Sequence, residues 1–407
     1  MSRAVLLSSS LRTTPPEVTL ARAKKRALPL GITRVTDITR LDRLAIPVYA
    51  SIRPGAAPGS LCVNAGKGLH PIEAEVGAYM EAIEYALAEP GASTAVTRVR
   101  ATARDVLDGR QRPEAILDLC PKLGAEIDLD APMECVVAES IMSKERVLVP
   151  AELVFLPFRP HAGYRGRFGT SSNGLASGNT LREATVHALS ELIERDVRSF
   201  DAFADASAPV NLDSVPEPAA GVVESVRAAG LELYVRTTRN AFGLPYFTAV
   251  IHDPDAWSPC LLNGGYGCHP HRSVAFVRAV AEAAQSRLSF IHGGRDDLVE
   301  HHARFEGWGA SRKRAHVKRV VEHASKGKRA PWDTVDDCSD LAKTVPGCEE
   351  LLLGRLAGLG FHQSCRVALS LPEDDLQVVR VLVPGLELFN ETVYRVGPRL
   401  RQHALAS

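Results

Sequence analysis

The chain has 407 residues, 45% of them hydrophobic and 24% charged, with 48 basic side chains against 48 acidic ones. Zero formal charge removes the electrostatic case for a nucleic-acid or membrane surface as the main partner, and no apolar run approaches the about 20 residues that a spanning helix needs. Eight dispersed cysteines with no C-x-x-C pair fit a reduced, cytoplasmic, zinc-free protein whose thiols act as small buried hydrophobes.

The opening segment, MSRAVLLSSSLR, lacks the apolar core and cleavage site of a secretory signal. A strand-like run, Ala45 to Ile52, stops at Arg53-Pro54-Gly55. A short strand at Leu61 to Asn64 then enters a predicted glycine turn, Gly66-Lys67-Gly68. Pro71 opens a helix where the first turn has no donor to lose, and Pro90-Gly91 stop it near Glu89. Residues 94 to 160 read as strands and turns with a short helix near Pro113 to Leu119, followed by a Gly/Ser/Asn-rich loop from Gly163 to Thr180.

The second long helix is expected over Leu181 to Phe203. Strands follow near Leu233 to Arg236 and Tyr246 to Ile251, then a Gly-rich turn at Gly264 to Gly267 and a third helix over Ser273 to Ile291. Residues 298 to 330 read as charged, exposed helix, with the basic run Arg312-Lys313-Arg314 on a solvated face. Thr334 to Ser339 is the candidate mobile loop. A helix near Glu349 to Leu356 and two β runs, Arg366 to Leu371 and Val378 to Val383, close the chain.

Two of the long helices repeat one another at an offset of 110 residues. Glu73, Glu81 and Glu84 match Glu183, Glu191 and Glu194, and Gly68, Ala74, Val76, Ala78 and Ile83 match their counterparts too. A weaker third copy lies 91 residues further on, where Ala275, Val277, Ala279 and Glu282 keep the pattern and Gln285 replaces the last glutamate. The chain therefore reads as α/β (α+β), with three strand–helix units around one core.

At 100° per residue, Glu81 falls within a stripe of small residues, Ala74, Gly77 and Ala78, that lets a backbone or a ligand come close. The first helix reads as more buried than the second, whose stripe carries His187 and Arg198. Carboxylates grouped inside a core need positive charge. All-oxygen ligands select a hard cation, so Mg²⁺ is expected, most simply in the service of a nucleotide phosphate. The glycine segments before the helices, with Lys67, Asn179, Arg195 and Arg278, offer anion contacts. No Walker-type P-loop and no G-x-S-x-G elbow is present. His269, His271, His301 and His302 read as loop or surface histidines.

The segments Cys62-Val-Asn-Ala-Gly-Lys-Gly-Leu-His, Gly77-Ala-Tyr-Met-Glu-Ala-Ile-Glu84, Ser172 to Thr180, Glu191-Leu-Ile-Glu-Arg-Asp196, Glu282-Ala-Ala-Gln-Ser-Arg287, Gly294 to Leu298 and Val383-Pro-Gly-Leu-Glu387 together resemble the YcaO family. The resemblance implies a YcaO-like fold with a glutamate-lined ATP/Mg²⁺ cleft. Its catalytic domain would span 59–395, between an N-terminal segment, 1–58, packing on the core and a C-terminal tail, 396–407. It also implies an ATP-dependent enzyme acting on backbone amides of a peptide or protein. Glu81, Glu84, Glu183, Glu191 and Glu194 would hold the metal. Asn179, Arg195 and Arg278, with Arg287 as the alternative to Arg278, would contact ATP, and Lys67 belongs to the matching Gly-Lys-Gly segment. Glu73 lies outside the family's metal set, and no catalytic residue is assigned.

In the implied reaction a nucleophile adds to the amide carbon, the oxyanion takes the γ-phosphate, and phosphate leaves. Sulfide gives a thioamide, a Cys, Ser or Thr side chain gives an azoline, and an amine gives an amidine. The compact chain, without a proline-rich end, resembles members paired with a TfuA-type partner, so thioamide formation in a ribosomally made peptide is the favoured expectation. Cyclodehydration is the alternative, and a non-catalytic scaffold is the contrasting class. A homodimer is compatible with the sequence.

Overall fold

A computed structural model describes residues 4–107, 112–159, 166–389 and 394–406. The chain divides into two compact units. The three repeat helices are Pro71–Ala88, Leu181–Phe203 and Arg272–His292, within a residue or two of their expected bounds.

The first unit comprises Met1–Ala56, Leu61–Ile83 and Ala206–Thr344. It holds an antiparallel three-stranded sheet, Arg34–Asp37, Val48–Ile52 and Val63–Lys67. A second, four-stranded antiparallel sheet runs Ala208–Pro209, Glu232–Thr237, Tyr246–His252, Asn263–Cys268. The third repeat helix packs on the last two of these strands and also meets Val48–Ile52 and Val63–Lys67. Its apolar side, Ala275, Phe276, Ala279, Val280 and Ala283, is fully buried with Phe247 and Ile251 in one core.

The second unit comprises Ala57–Ser60, Glu84–Asp205 and Val345–Ser407. Its sheet runs Arg98–Thr102, Pro132–Ser140, Cys365–Ala368, Gln377–Leu382, Leu175–Gly178, with Arg146–Pro150 also paired to Pro132–Ser140. The second repeat helix packs on the last two strands of that path and on the helix Val345–Gly358. The first repeat helix contributes residues through Ile83 to the first unit and from Glu84 to the second.

The two predicted glycine turns, and the end of the predicted Gly/Ser/Asn-rich loop, fall in strands instead. Gly66 and Lys67 end Val63–Lys67, Gly178 ends Leu175–Gly178, and Gly264 to Gly267 lie within Asn263–Cys268. Close packing, not turn geometry, is what requires these glycines. A Cβ at Gly66 would overlap the Ala74 carbonyl and the Ala78 amide, and a Cβ at Gly267 would overlap the Ala275 carbonyl and crowd the Ala279 amide. Ala74 and Ala275, like Ala78 and Ala279, are equivalent positions of the repeat. The small-residue stripe therefore receives a strand backbone, in the same register in the first and third copies.

Other expectations change as well. The second helix buries two of its three acids, Glu183 and Glu194 at 2% exposed with Glu191 half-buried, whereas the first buries only Glu73 and leaves Glu81 and Glu84 half-buried. The hydroxyls of the second helix are satisfied within it, Thr185, Ser190 and Ser199 donating to the Leu181, Val186 and Arg195 carbonyls. His269 and His271 are buried rather than on the surface.

The segment around Thr334 to Ser339 is tied to the start of the third helix. Asp337 accepts from the Arg272 amide and pairs with its guanidinium, and the Cys338 amide donates to the Pro270 carbonyl. Helices Pro16–Ala27, Ala219–Ala228 and Pro398–Ala406 were not anticipated. The loop read from Gly163 begins at residues outside the described ones. No helix among the described residues is long and apolar enough to cross a membrane.

Candidate functional site

The glutamates of the repeat fall into two acidic clusters, one in each unit. In the first unit, the Glu81 carboxylate accepts the Ala65 amide at 3.0 Å. Burial pushes its pKa up, while Arg295, the Ala65 bond and Lys67 pull it back. Lys67 Nζ donates to Glu282 Oε2 and to Gln285 Oε1, both at 3.0 Å. Gln285 Nε2 in turn donates to the Ala65 carbonyl. The strand Val63–Lys67 is thus bonded to carboxylate or amide groups of the first and third repeat helices.

Arg278 lies on the third helix, half-buried, one turn before Glu282. Burial, then the charges of His271, Arg278 and Arg12, drives the pKa of His269 well below the usual histidine range. The His271 amide donates to His269 Nδ1 at 3.0 Å, so the neutral ring carries its proton on Nε2. Arg287 is 3% exposed, and its guanidinium donates to Asp42 at 2.7 and 3.1 Å and to Asp253 at 3.4 Å. Glu73, buried, accepts the Ser8 amide at 3.1 Å and also the Ser8 hydroxyl, which fastens the turn between the paired strands Val5–Leu6 and Leu11–Arg12.

In the second unit, Thr180 caps the second repeat helix by accepting the Glu183 amide at 3.1 Å. Asn179 donates to the Glu183 carboxylate from its backbone at 3.2 Å and from its side chain at 3.1 Å. Ser177 Oγ donates to Glu84 at 2.5 Å. Arg195 pairs with Glu194 at 2.6 Å and lies 4.0 Å from Glu191.

Beside the strand Leu175–Gly178, in the neighbouring strand Gln377–Leu382 where it pairs with Leu175, Arg380 is fully buried. It donates to the carbonyls of Val154, Ser171 and Asn173 at 3.2, 3.0 and 2.9 Å. Burial lowers its pKa to about 10, against the pull of Glu191 and, more weakly, Tyr85 and Glu84.

Sequence reasoning missed three of these partners: Ser177 for Glu84, Gln285 for Lys67, and Arg380. A signal existed only for Arg380, as the one charge inside the apolar run Val378 to Val383. Among the described residues no three His, Cys, Asp or Glu side chains are already gathered as a metal cage. The donor set nevertheless fits a hard divalent cation: carboxylate oxygens, wholly or half buried, held by serine, amide and cationic donors that a metal can replace.

A family model described as YcaO cyclodehydratase, ATP- and Mg²⁺-binding, matches residues 65–387. An uncharacterized protein of Methanothermobacter thermautotrophicus is 35% identical over 391 residues, covering 95% of this chain and 97% of its own. An uncharacterized protein in the tfuA 3' region of Rhizobium leguminosarum bv. trifolii is 33% identical over 397 residues, covering 93% and 89%. In fold, the chain superposes on YcaO from Methanopyrus kandleri, bound with AMPPCP and Mg²⁺, with a TM-score of 0.76 at 24% identity over 98% of each chain.

Proposed function

This chain belongs to the YcaO family of ATP- and Mg²⁺-binding cyclodehydratases, and on that premise we propose that it activates a backbone amide of a peptide or protein by O-phosphorylation and exchanges the amide oxygen for sulfur. The observation that carries the reading is the family match across the segment that holds both acidic clusters. Thioamide formation with a TfuA-type partner draws its support from the relative encoded beside tfuA.

Glu81, Glu84, Glu183, Glu191 and Glu194 are the carboxylates we assign to Mg²⁺. Bound there, the metal would neutralise charge on the phosphoryl group. Asn179 and Arg195 are assigned to the nucleotide. Of the two candidates on the third helix, Arg278 is preferred, because both carboxylates facing Arg287 hold that guanidinium inside the first unit. The chain's own contribution is positioning: the Ser177, Asn179, Ala65 and Arg195 donors fix carboxylate rotamers ahead of binding.

In the proposed reaction sulfide adds to the amide carbon, the oxyanion takes the γ-phosphoryl group to leave ADP, and phosphate departs as the thiocarbonyl forms. The family description favours one second reading, cyclodehydration by a neighbouring Cys, Ser or Thr to an azoline. Mass spectrometry of a candidate peptide incubated with the protein, MgATP and sulfide separates the two. Exchange of oxygen for sulfur is expected; loss of one water supports the azoline, and an unchanged peptide with no ATP turnover removes both. Glu191→Gln is expected to abolish ATP turnover while leaving the fold intact.

A further inference from the structure

The second unit carries a groove of about 950 Å³ that the proposed chemistry does not use. Its walls come from the strand Arg98–Thr102 at the end of the sheet, the strand Arg146–Pro150 and the segment entering Cys365–Ala368. Ser364 lines it with no exposed surface, yet its hydroxyl has no hydrogen-bond partner. The side-chain oxygen of the adjacent Gln363 is also buried and unpartnered. Buried polar atoms are nearly always paired, so two adjacent exceptions on one wall mark groups held ready for something else.

The charges point the same way. Arg100 and Arg146 line the groove and make no ion pair among the described residues. The two carboxylates that also line the groove, Asp105 and Glu145, keep their charge and bond to neighbouring residues rather than to either arginine. Asp105 accepts the Thr102 amide at 3.1 Å and its hydroxyl at 2.9 Å, and Glu145 accepts the Ser143 hydroxyl at 3.1 Å. Among the lining groups left without a partner are two guanidinium forks, one hydroxyl and one amide oxygen. Guanidinium forks match carboxylates, an amide oxygen takes a backbone N–H, and a hydroxyl serves either backbone group. The volume suits a short extended segment rather than a folded domain.

We propose that this groove docks an acidic segment of the peptide substrate; the proposal rests on the peptide-substrate reading above. The test uses the full chain and a fluorescein-labelled peptide of alternating Glu and Ala, with its Gln–Ala counterpart, at fixed ionic strength. Fluorescence anisotropy is expected to show saturable binding of the Glu peptide, about tenfold tighter than the Gln peptide. The double variant Arg100→Gln/Arg146→Gln is expected to lose that preference, and Gln363→Leu to weaken both peptides.

MgATP binding by calorimetry is read on the same samples and is expected to be unchanged in the variants. Equal binding of the two peptides, no saturation, a preference that survives the double variant, or displacement by inorganic phosphate as effective as by unlabelled peptide each overturns the docking site. Absence of MgATP binding to the unmodified chain overturns the proposed function instead, because the peptide measurement needs no nucleotide.

Discussion

Lys67 Nζ lies 3.0 Å from the Glu282 carboxylate, so the strand of the first copy supplies a cation to the helix of the third. The same ammonium bonds to Gln285, the residue standing where the other copies have their last glutamate. Lys67→Met removes that cation from a pair whose members are each about a fifth exposed, 21% and 22%. Solvent screening limits the stability loss to about 1 kcal/mol. Affinity for MgATP is expected to fall about tenfold, since a point charge offered to phosphates is lost, with partial rescue by Lys67→Arg. Calorimetric titration checks this, and unchanged affinity would leave Lys67 as a structural tie alone.

The strand glycines make a second prediction. At Gly66 and Gly267 an added methyl meets helix backbone, which cannot move aside as a flexible side chain can. Gly66→Ala and Gly267→Ala are each expected to destabilise the protein by about 3 kcal/mol or more. Gly354 sits inside the helix Val345–Gly358, where an added methyl would have nothing within 4 Å of it. Gly354→Ala is therefore expected to stabilise by about 0.5–1 kcal/mol. Urea unfolding of the three variants reads both signs in one experiment.

The same glycines show where sequence reasoning reached and where it stopped. The long helices were legible because a 3.6-residue period, an N-terminal proline and flanking breakers act locally. Gly66-Lys67-Gly68 was misread because glycine permits turns and close packing alike, and only the tertiary partner decides between them. The repeat already held that partner in Ala74 and Ala78, small residues matching a small strand.

At the candidate site the carboxylates stood out by spacing, whereas their donors did not. Ser177, Gln285 and Arg380 reach their partners across long stretches of chain, and nothing local announces such a bond. The burial of the second helix was hidden because His187 and Arg198 mark its stripe as polar, whereas both are half-buried and Thr185, Ser190 and Ser199 return their hydrogen bonds to their own helix.

The thiols give a prediction about pH. Burial pushes Cys135, Cys348 and Cys365 up to about 12, and Cys120 well above its usual range. The fold therefore favours the neutral thiols. Their contribution is fully present below the unfolded value near 9 and is lost as pH rises from there toward about 12. Unfolding free energy is expected to decline above about pH 9. At neutral pH only the half-buried Cys62 and Cys260 should react with a thiol reagent before unfolding. Mass mapping of iodoacetamide adducts checks the second statement, and rapid labelling of Cys135 or Cys365 in the folded chain would contradict it.

Arg380 makes the sharpest structural claim. Its guanidinium is 1% exposed and braces three backbone carbonyls, Val154, Ser171 and Asn173, two of them in the segment leading to Ser177 and Asn179. A lysine brings a compact ammonium in place of a planar fork and cannot reproduce all three bonds. Methionine fills the space but leaves the carbonyls without donors. Both Arg380→Lys and Arg380→Met are thus expected to cost about 3 kcal/mol or more. Each should also loosen residues 171–173, visible as faster amide hydrogen exchange there than in the helix Val345–Gly358. Because Asn179 and Ser177 orient Glu183 and Glu84, MgATP affinity should fall in step with that loosening. A variant that kept native exchange rates yet lost MgATP would show that Arg380 acts through its charge rather than by holding the segment.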